Sequence, residues 1–218
     1  MEAISNTVIS NQNGPHERLA ETVRKHMDKP FLRPIAEHTL RVFEGIQQTL
    51  STAERPLIFD ACCGVGDSSR ALAKKFPDHW VIGIDKSAHR LARERDEENP
   101  ENLILARADL NDFYRLAFEA GWQFSRHYIL YPNPWPKAAH LGRRWHGAPV
   151  FPTMLYLGGM LELRSNWKLY LEEFQLALEI AGHAAQLEAF EPTEYMTSFE
   201  KKFHQSKQRL WRLQAHLK

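Results

Sequence analysis

Short apolar runs alternate with amphipathic helical stretches from residue 57 onward, and this alternation constrains the fold more than any other feature of the chain. Apolar runs bounded by turn residues are typical of buried strands, whereas apolar residues recurring every three or four positions are typical of helices. The predicted strands lie at 57–61, 80–84, 103–106, 127–131, 160–163 and 187–190. The predicted helices lie at 34–50, 67–76, 88–97, 110–120, 150–157 and 167–180. This order predicts a Rossmann-like α/β fold, a mostly parallel twisted sheet with helices on both faces.

Length and composition indicate one globular domain. Of the 218 residues, 43% are hydrophobic and 25% are charged, which are ordinary values for a soluble folded protein. We expect a polar arm over residues 1–33, with a flexible tail over 1–14, and one domain over 34–218 that ends in a basic extension. No apolar run is long enough to cross a bilayer, and the polar N-terminus lacks a secretory signal pattern. Cys62 and Cys63 are adjacent and do not suit a disulfide, which favours a reduced, cytoplasmic protein.

Positive charge is concentrated in two clusters, although the net charge is only +1. The low net charge excludes a globally basic nucleic-acid-binding protein. One cluster lies within residues 137–146, and the other, at 201–218, holds six Lys or Arg, two His and no acidic residue. Either cluster could contact phosphates or could form an ordinary solvated surface, and charge alone leaves both interpretations open.

Glycines and acidic residues follow the first three predicted strands. Gly64 and Gly66 lie between a strand and a helix, where backbone can approach a ligand closely and free helix N–H groups can meet an anion. Asp60 precedes the glycines, Asp85 ends the second strand 25 positions later, and Asp109 follows the third. We expect Asp85 to accept hydrogen bonds from both ribose hydroxyls of an adenosine group, and Asp109 to meet the adenine amino group. Each aspartate could instead cap a helix.

Two adenosine-containing cofactors are compatible with this loop. The dinucleotide fingerprint of NAD requires a third glycine for close helix packing, and that position falls on Ser69. Asp60, before the glycines, suits the positively charged ammonium of a methionine group better than it suits a pyrophosphate. The loop therefore favours S-adenosyl-L-methionine as cofactor, and no metal site is predicted.

The fourth predicted strand leads into the longest motif of the chain, Tyr-Pro-Asn-Pro-Trp-Pro-Lys at 131–137, followed by paired arginines at 143–144. Here the chain resembles the bacterial tRNA (guanine-N7)-methyltransferases, whose hallmark is Pro-Asp-Pro-Trp-Pro-Lys followed by a basic stretch. The resemblance extends from about residue 57 to the C-terminus and includes segments 77–78, 82–85, 158–159, 165–167 and 197–200. It implies a class I S-adenosylmethionine-dependent methyltransferase that acts on the variable loop of tRNA.

The resemblance implies a role for each matched residue. The cofactor-binding residues would be Asp60, Gly64, Gly66, Asp85, Asp109 and Asn133. The catalytic residues would be Asn133, in the place of an active-site Asp, and Lys137, in the place of a substrate-binding Lys. The substrate-binding residues would be Lys137, Arg143, Arg144, Asn166, Thr197, Ser198, Phe199 and Glu200. We expect the two arginines to contact phosphates and the Thr-Ser-Phe-Glu element to recognise guanine.

Two aspartates of the family are asparagines here, at positions 133 and 166. Methylation of guanine N7 needs no general base, because N7 carries no proton, so the site mainly orients the base. Asp can accept bonds from guanine N1–H and N2–H, whereas Asn offers one acceptor and one donor face, which fits guanine O6/N1–H or adenine N1/N6–H. Losing such a contact costs about 1–3 kcal/mol. The changes therefore either slow the reaction or indicate another base, and Asn166 could equally cap the helix that follows it.

Three functions remain open. The first is methylation of tRNA or other structured RNA by a monomer or homodimer with no membrane association. The second is a catalytically silent relative that binds RNA or S-adenosylmethionine as a partner or sensor. The two asparagines motivate it, whereas the retained cofactor acids and Lys137 argue against it. The third is an amino-group methyltransferase, since Asn-Pro-Trp partly matches the Asp/Asn-Pro-Pro-aromatic turn of that class. Three tryptophans could stack on a flipped base or pack in the core, namely Trp135, Trp145 and Trp167.

Overall fold

A seven-stranded sheet with flanking helices forms the body of the protein in the computed structural model, which describes residues 5–93 and 98–217. The strands are Leu57–Ala61 (β1), Trp80–Asp85 (β2), Leu103–Arg107 (β3), Phe124–Leu130 (β4), Gly159–Ser165 (β5), Ala185–Phe190 (β6) and Leu210–Leu217 (β7). The helices are Leu19–Asp28 (α1), Glu37–Leu50 (α2), Asp67–Lys75 (α3), Ala88–Leu91 (α4), Leu110–Glu119 (α5), Phe151–Tyr156 (α6), Lys168–Ile180 (α7) and Ser198–Gln205 (α8). Two 3₁₀ turns, at Ala138–Arg143 and Trp145–Gly147, follow β4.

The strand order, β3-β2-β1-β4-β5-β7-β6, confirms the predicted Rossmann-like α/β fold. β1 pairs in parallel with both β2 and β4, β4 pairs in parallel with β5, and β7 runs antiparallel between β5 and β6. Because β1 to β5 are parallel, their carboxyl ends meet at one edge of the sheet. The strand order reverses between β1 and β4, and folds of this kind bind ligands in the crevice at such a point.

Aromatic packing fixes β1, the strand that leads into the glycine loop. Phe59 is fully buried, and its ring stacks against Phe113 of α5 and Phe124 of β4, with centroids 5.4 and 4.8 Å apart. These contacts hold β1 against α5 and against the neighbouring strand β4, so the residues that follow it start from a rigid position.

One strand and two helices were not predicted: α1, α8 and β7. The predicted basic extension contains β7, in which Leu210, Leu213, Ala215 and Leu217 are buried. Trp211, Leu213, Ala215 and Leu217 alternate with polar residues, which is the period-two pattern of a strand, but the charge of the segment concealed it. Within the predicted helix at 88–97, α4 ends at Leu91, and residues 92 and 93 are not helical. Residues 94–97, like residues 1–4 and 218, lie outside the described residues.

The N-terminal segment packs against the body, which corrects the prediction of a flexible tail for residues 5–14. Leu19 and Val23 of α1 are fully buried within the main hydrophobic core, and α1 lies against α7. Residues 5–12 form hydrogen bonds with distant parts of the chain. The boundary between arm and domain at residue 33 stays a prediction. Across the described parts of the chain, no helix combines the length and apolarity that a membrane span requires.

Candidate active site

A cavity of about 790 Å³ opens at the carboxyl edge of the sheet. It is bounded by the glycine loop, the ends of β2 and β4, the loop that follows β4, and the start of α8. Of the residues predicted from the sequence, the cavity is lined by Gly64, Asp85, Asp109, Asn133, Arg143, Asn166, Thr197, Ser198 and Phe199. Asp60, Gly66, Lys137, Arg144 and Glu200 do not line it.

The two glycines of the loop are required by different features of their local surroundings. Gly66 has a φ of +83°, and a Cβ there would lie 2.7 Å from Leu105 Cδ1 and 2.9 Å from Arg70 Nη1. Gly64 has a φ of +62°, but a Cβ there would meet only Arg90 Nη1, at 3.9 Å. Gly66 therefore serves the packing of α3 onto the sheet, whereas the backbone of Gly64 leaves room for a ligand.

Asp60 lies behind the loop, with 1% of its surface exposed. Its Oδ2 accepts hydrogen bonds from the hydroxyls of Ser68 and Ser69, both at 2.6 Å. Its Oδ1 is buried and has no hydrogen-bond partner among the described residues. Burial, with a smaller contribution from the negative charge of Asp85, raises the pKa of Asp60 to about 6, although the serine hydroxyls oppose this. A cation in the cavity beside Ser68 would be attracted to this unpartnered oxygen.

Asp85 ends β2 and is 1% exposed. Its Oδ2 accepts from the Gly64 N–H at 3.1 Å, and its Oδ1 accepts from the Ser87 N–H at 2.8 Å. Arg90, which also lines the cavity, pairs with Oδ1 at 3.0 Å. A carboxylate has about four lone-pair positions. The carboxylate can therefore accept a hydrogen bond from one further donor. A ligand could also replace the partly exposed Arg90 as a donor.

Asp109 caps α5, as the alternative prediction for it stated. Its Oδ1 accepts from the Asn111 N–H at 2.9 Å and the Asp112 N–H at 3.3 Å. Arg33 donates to the same carboxylate at 2.9 Å. Burial opposes ionisation, but these donors outweigh it and lower the pKa of Asp109. Its side chain is 37% exposed, so it caps the helix and also borders the cavity.

The loop after β4 carries backbone strain at the cavity wall. Tyr131 and Trp135 have positive φ values of 51° and 46°, and both line the cavity. Such conformations cost about 1–3 kcal/mol each and cluster at functional sites. Asn133 is exposed, and its Oδ1 accepts from the Trp135 N–H at 3.3 Å, which leaves the second lone pair of Oδ1 and the two N–H donors of the carboxamide for a ligand.

The basic residues after this loop separate into surface and interior positions. Lys137 and Arg143 are exposed, and the Arg143 guanidinium lies 4.8 Å above the Trp135 ring. Arg144 is 0% exposed. Its guanidinium donates to the Trp135 carbonyl at 3.0 and 3.2 Å and pairs with buried Glu173. An interior guanidinium bonded to protein acceptors is not available to a phosphate, which corrects the expectation that Arg144 contacts RNA.

The remaining predicted residues border the far side of the cavity. Asn166 donates to Gln208 Oε1 at 2.7 Å. It does not cap α7, whose N-cap residue is Trp167 and whose first turn has no side-chain cap. The Thr197 hydroxyl caps α8 by accepting the Glu200 N–H at 3.0 Å. Ser198 and Phe199 are exposed at the cavity.

Glu200 lies in the interior, with 0% of its surface exposed. It accepts from the Tyr131 hydroxyl at 3.0 Å, the Arg164 guanidinium at 2.9 Å and the Met196 N–H at 2.8 Å. It therefore ties α8 to the end of β4 and does not reach the cavity itself, which corrects the expectation that it meets guanine.

The tryptophans have different surroundings. Trp135 and Trp145 line the cavity and are half-buried. Trp167 packs against the core beside Tyr170, with ring centroids 6.4 Å apart. Only the first two therefore have a position from which they could stack on a ligand.

Several lining residues were missed by sequence reasoning. Asn6 and Val8 come from the N-terminal segment, and Arg90 comes from the start of α4. No local signal marks the first two, because a polar run without periodicity such as 10–16 is typical of a flexible tail. Nothing in the sequence marks Arg90, because its role depends on the position of Asp85.

Comparison with known proteins identifies related families and folds. A model of the family described as putative methyltransferase matches residues 54–213. The tRNA (guanine-N(7)-)-methyltransferase of Rubrobacter xylanophilus is 26% identical over 164 residues, which cover 72% of this chain and 71% of the relative. The enzyme of the same name from Lactococcus lactis subsp. cremoris is 24% identical over 95% of this chain and 96% of the relative.

Solved structures with the same fold include the 16S rRNA methyltransferase KamB and the aminoglycoside resistance methyltransferase NpmB1. KamB has a TM-score of 0.59 and 15% identity, and the match covers 85% of this chain and 96% of that one. NpmB1 has a TM-score of 0.56 and 20% identity, and the match covers 81% and 93% of the two chains. At these identities the likeness shows the fold alone.

Proposed function

Because the chain belongs to the family described as putative methyltransferase, we propose that it transfers a methyl group from S-adenosyl-L-methionine to N7 of a guanine in tRNA. The observation that carries the proposal is that one cavity is lined both by the acids Asp85 and Asp109 and by Asn133 of the Pro-Asn-Pro-Trp-Pro motif. The similarity to two tRNA (guanine-N(7)-)-methyltransferases supports the choice of substrate.

The donors and acceptors of the cavity fit the proposed cofactor. The carboxylate of Asp85 would accept the ribose hydroxyls, and Asp109 would meet the adenine amino group. Gly64 leaves its backbone open to the ligand, and the unpartnered Oδ1 of Asp60 supplies negative charge near the place where a methionine ammonium would lie. When bound, S-adenosylmethionine supplies a methyl group on a positively charged sulfur.

The residues of this chain mainly have to orient the base. The lone pair of guanine N7 forms the new N–C bond, and the electrons of the C–S bond remain on sulfur, so no proton has to be removed. The carboxamide of Asn133 would hold the O6/N1–H edge of guanine through one acceptor and one donor. Phe199 and Trp135 offer aromatic faces at the cavity, and base–aromatic stacking contributes about 1–3 kcal/mol. Orientation of this kind would be the main source of the acceleration of methyl transfer.

The RNA backbone would lie along the exposed basic residues near the cavity mouth. Lys137 and Arg143 are both exposed, and Arg143 lines the cavity. Contacts from such residues to phosphates give affinity that falls with salt and does not depend on sequence. We therefore assign phosphate contacts to Lys137 and Arg143, and a structural role to the buried Arg144.

Cofactor affinity is expected to fall by up to about tenfold as the pH is lowered from about 7.5 to about 5. The raised pKa of Asp60, about 6, means that the carboxylate loses its charge within this interval and no longer attracts an ammonium. Isothermal titration calorimetry of the wild type and of Asp60→Asn measures the effect, and the variant should bind more weakly with little pH dependence.

5′-Methylthioadenosine is the matched control ligand for this titration, because it lacks the amino-acid group. Its affinity for the wild type should stay constant over the same pH range. An equal loss of affinity for both ligands would contradict the role given to Asp60.

Replacing Asn133 with Asp is expected to raise the initial rate of tRNA methylation by about tenfold, because a carboxylate accepts both N1–H and N2–H of guanine. The assay follows transfer of labelled methyl groups to bulk tRNA that lacks 7-methylguanosine. Gln48→Glu introduces the same charge on an exposed position of α2 and should leave the rate unchanged. Loss of activity in Asn133→Asp would instead favour a target whose edge requires a carboxamide, such as the N1/N6 edge of adenine.

A further inference from the structure

Residues 5–12, which we call the N-terminal strap, are fixed at one end to the side of the cavity formed by α8 and β7. The Ser5 N–H donates to the Ser206 hydroxyl at 3.1 Å, and the Gln208 carboxamide donates to the Ser5 carbonyl at 2.8 Å. The same Gln208 accepts from Asn166, a residue that lines the cavity, at 2.7 Å. This end of the strap is therefore joined to the proposed substrate side of the site.

The other end of the strap is bonded to the loop after β4. The Ser10 hydroxyl donates to the Pro136 carbonyl at 2.6 Å, and Asn11 Oδ1 accepts from the Ala138 N–H at 2.9 Å. Both contacts fall on the backbone of the segment that contains Asn133. Side-chain bonds to a loop backbone fix its position without depending on the identity of the loop residues.

Gln12 connects the strap to the buried charges beneath that loop. Its Nε2 donates to Glu173 Oε1 at 2.9 Å, and its Oε1 accepts from Arg144 Nη2 at 2.6 Å. Arg144 also donates to the Trp135 carbonyl, so the strap, the buried ion pair and the strained Trp135 form one network. Positive φ at Trp135 requires surrounding contacts that hold it, and this network supplies them.

Between its two ends the strap borders the cavity, where Asn6 and Val8 form part of the wall. We propose that Ser10, Asn11 and Gln12 are positioning residues that hold the loop at 132–138 in the conformation in which Asn133 orients the target base. The proposal rests on the proposed function for its catalytic consequence, and on the hydrogen bonds of the strap for its structural part.

Amide hydrogen exchange at Ala138 tests whether the strap holds the loop, because the Ala138 N–H donates its hydrogen bond to Asn11 Oδ1. In Asn11→Ala the Ala138 amide should exchange about five- to tenfold faster, because one hydrogen bond no longer opposes local opening. Asn11→Asp keeps the acceptor and should restore the wild-type rate. Asn11 is exposed, so neither change should alter the thermal stability of the protein. An unchanged exchange rate in Asn11→Ala would overturn the proposal.

Steady-state kinetics tests the positioning part. In Asn11→Ala and Gln12→Ala we expect kcat on tRNA to fall about five- to tenfold while the Kd for S-adenosylmethionine stays within about twofold of wild type. Gln123→Ala is the matched control, because Gln123 also donates to a carbonyl, that of Tyr156, but precedes β4 at the opposite edge of the sheet. It should change neither kcat nor exchange at Ala138.

The outcomes separate this proposal from the proposed function. Faster exchange at Ala138 with an unchanged kcat would overturn the positioning role. If the wild-type protein methylates no tRNA, the proposed function is contradicted. If Asn11→Ala still accelerates exchange at Ala138 in that case, the strap nevertheless holds the loop in position. Faster exchange with a reduced kcat, both restored in Asn11→Asp, is the result that we expect.

Discussion

Replacing Asp85 with Asn is expected to weaken S-adenosylmethionine binding by about 100-fold, because hydrogen bonds to a charged group contribute about 1.5–3 kcal/mol each. In the structure the carboxylate is held in place by the N–H groups of Gly64 and Ser87, and it is almost wholly buried. A carboxamide of the same shape loses the charge and one acceptor, and it turns an N–H₂ group toward existing donors. Isothermal titration calorimetry gives the affinity directly.

Two comparisons make the Asp85 result specific. Asp78→Asn removes the same charge from an exposed position before β2, at the other edge of the sheet, and should bind the cofactor like the wild type. Thermal unfolding of Asp85→Asn shows whether the variant remains folded at the temperature of the titration. A folded Asp85→Asn that binds the cofactor with wild-type affinity would contradict the assignment of the ribose site.

Replacing Glu173 with Gln is expected to lower the free energy of unfolding by about 3–5 kcal/mol, the usual cost of breaking a buried ion pair. Glu173 on α7 is 0% exposed and accepts from Gln12, the His16 N–H, Arg144 and His146. Without the negative charge of Glu173, the positively charged guanidinium of Arg144 stays buried without an opposite charge beside it. For a chain of this length the change corresponds to a fall in Tm of roughly 6–20 °C.

Glu179→Gln is the control, because Glu179 lies on the same helix and is exposed. Its Tm should change by less than about 2 °C, since exposed substitutions cost about 0.5 kcal/mol or less. A Tm of Glu173→Gln that equals the wild-type value would show that the interior network does not stabilise the fold.

The same carboxylate makes stability depend on acid pH. Burial alone would raise the pKa of Glu173, but hydrogen bonds from His146, Gln12 and Arg144, with the charge of His146, outweigh it and lower the pKa to about 2. Since the folded-state pKa is depressed below the ordinary value of 4.5, the stabilisation is present above that value. It is lost as the pH falls from about 4.5 through about 2, and Glu173→Gln should show a weaker dependence in this interval.

Periodicity and strand-end chemistry predicted the central half of the fold and the meeting of Gly64, Asp85 and Asp109 at one cavity. The strands at 57–61 and 80–85 are regular runs of buried apolar residues, and the residues that follow such strands in a parallel sheet must meet at one edge. Asp85 and Asp109 could therefore be placed near each other from local patterns alone.

Features that depend on tertiary contacts could not be predicted in this way. Arg143 and Arg144 are adjacent in sequence, yet one is exposed beside the cavity and the other is buried against Glu173, about 30 residues away in the chain. Charge patterning treats both as surface residues. Glu200 was likewise assigned to substrate from its motif, whereas Tyr131 and Arg164 hold it in the interior.

The N-terminal strap shows the same limit. Its polar residues have no periodic pattern, so local rules predict a flexible tail. Their partners, such as Pro136 and Ala138, lie more than 100 residues away in the sequence. Only the folded arrangement brings these groups within hydrogen-bonding distance.

Identification of the methylated nucleoside tests whether N7 of a tRNA guanine is the target. The purified protein is incubated with methyl-labelled S-adenosylmethionine and bulk tRNA from a strain that lacks its own guanine-N7 enzyme, and the digested RNA is analysed by mass spectrometry. We expect labelled 7-methylguanosine. A different labelled nucleoside, or no label from a protein that calorimetry shows to bind the cofactor, would contradict the proposed target.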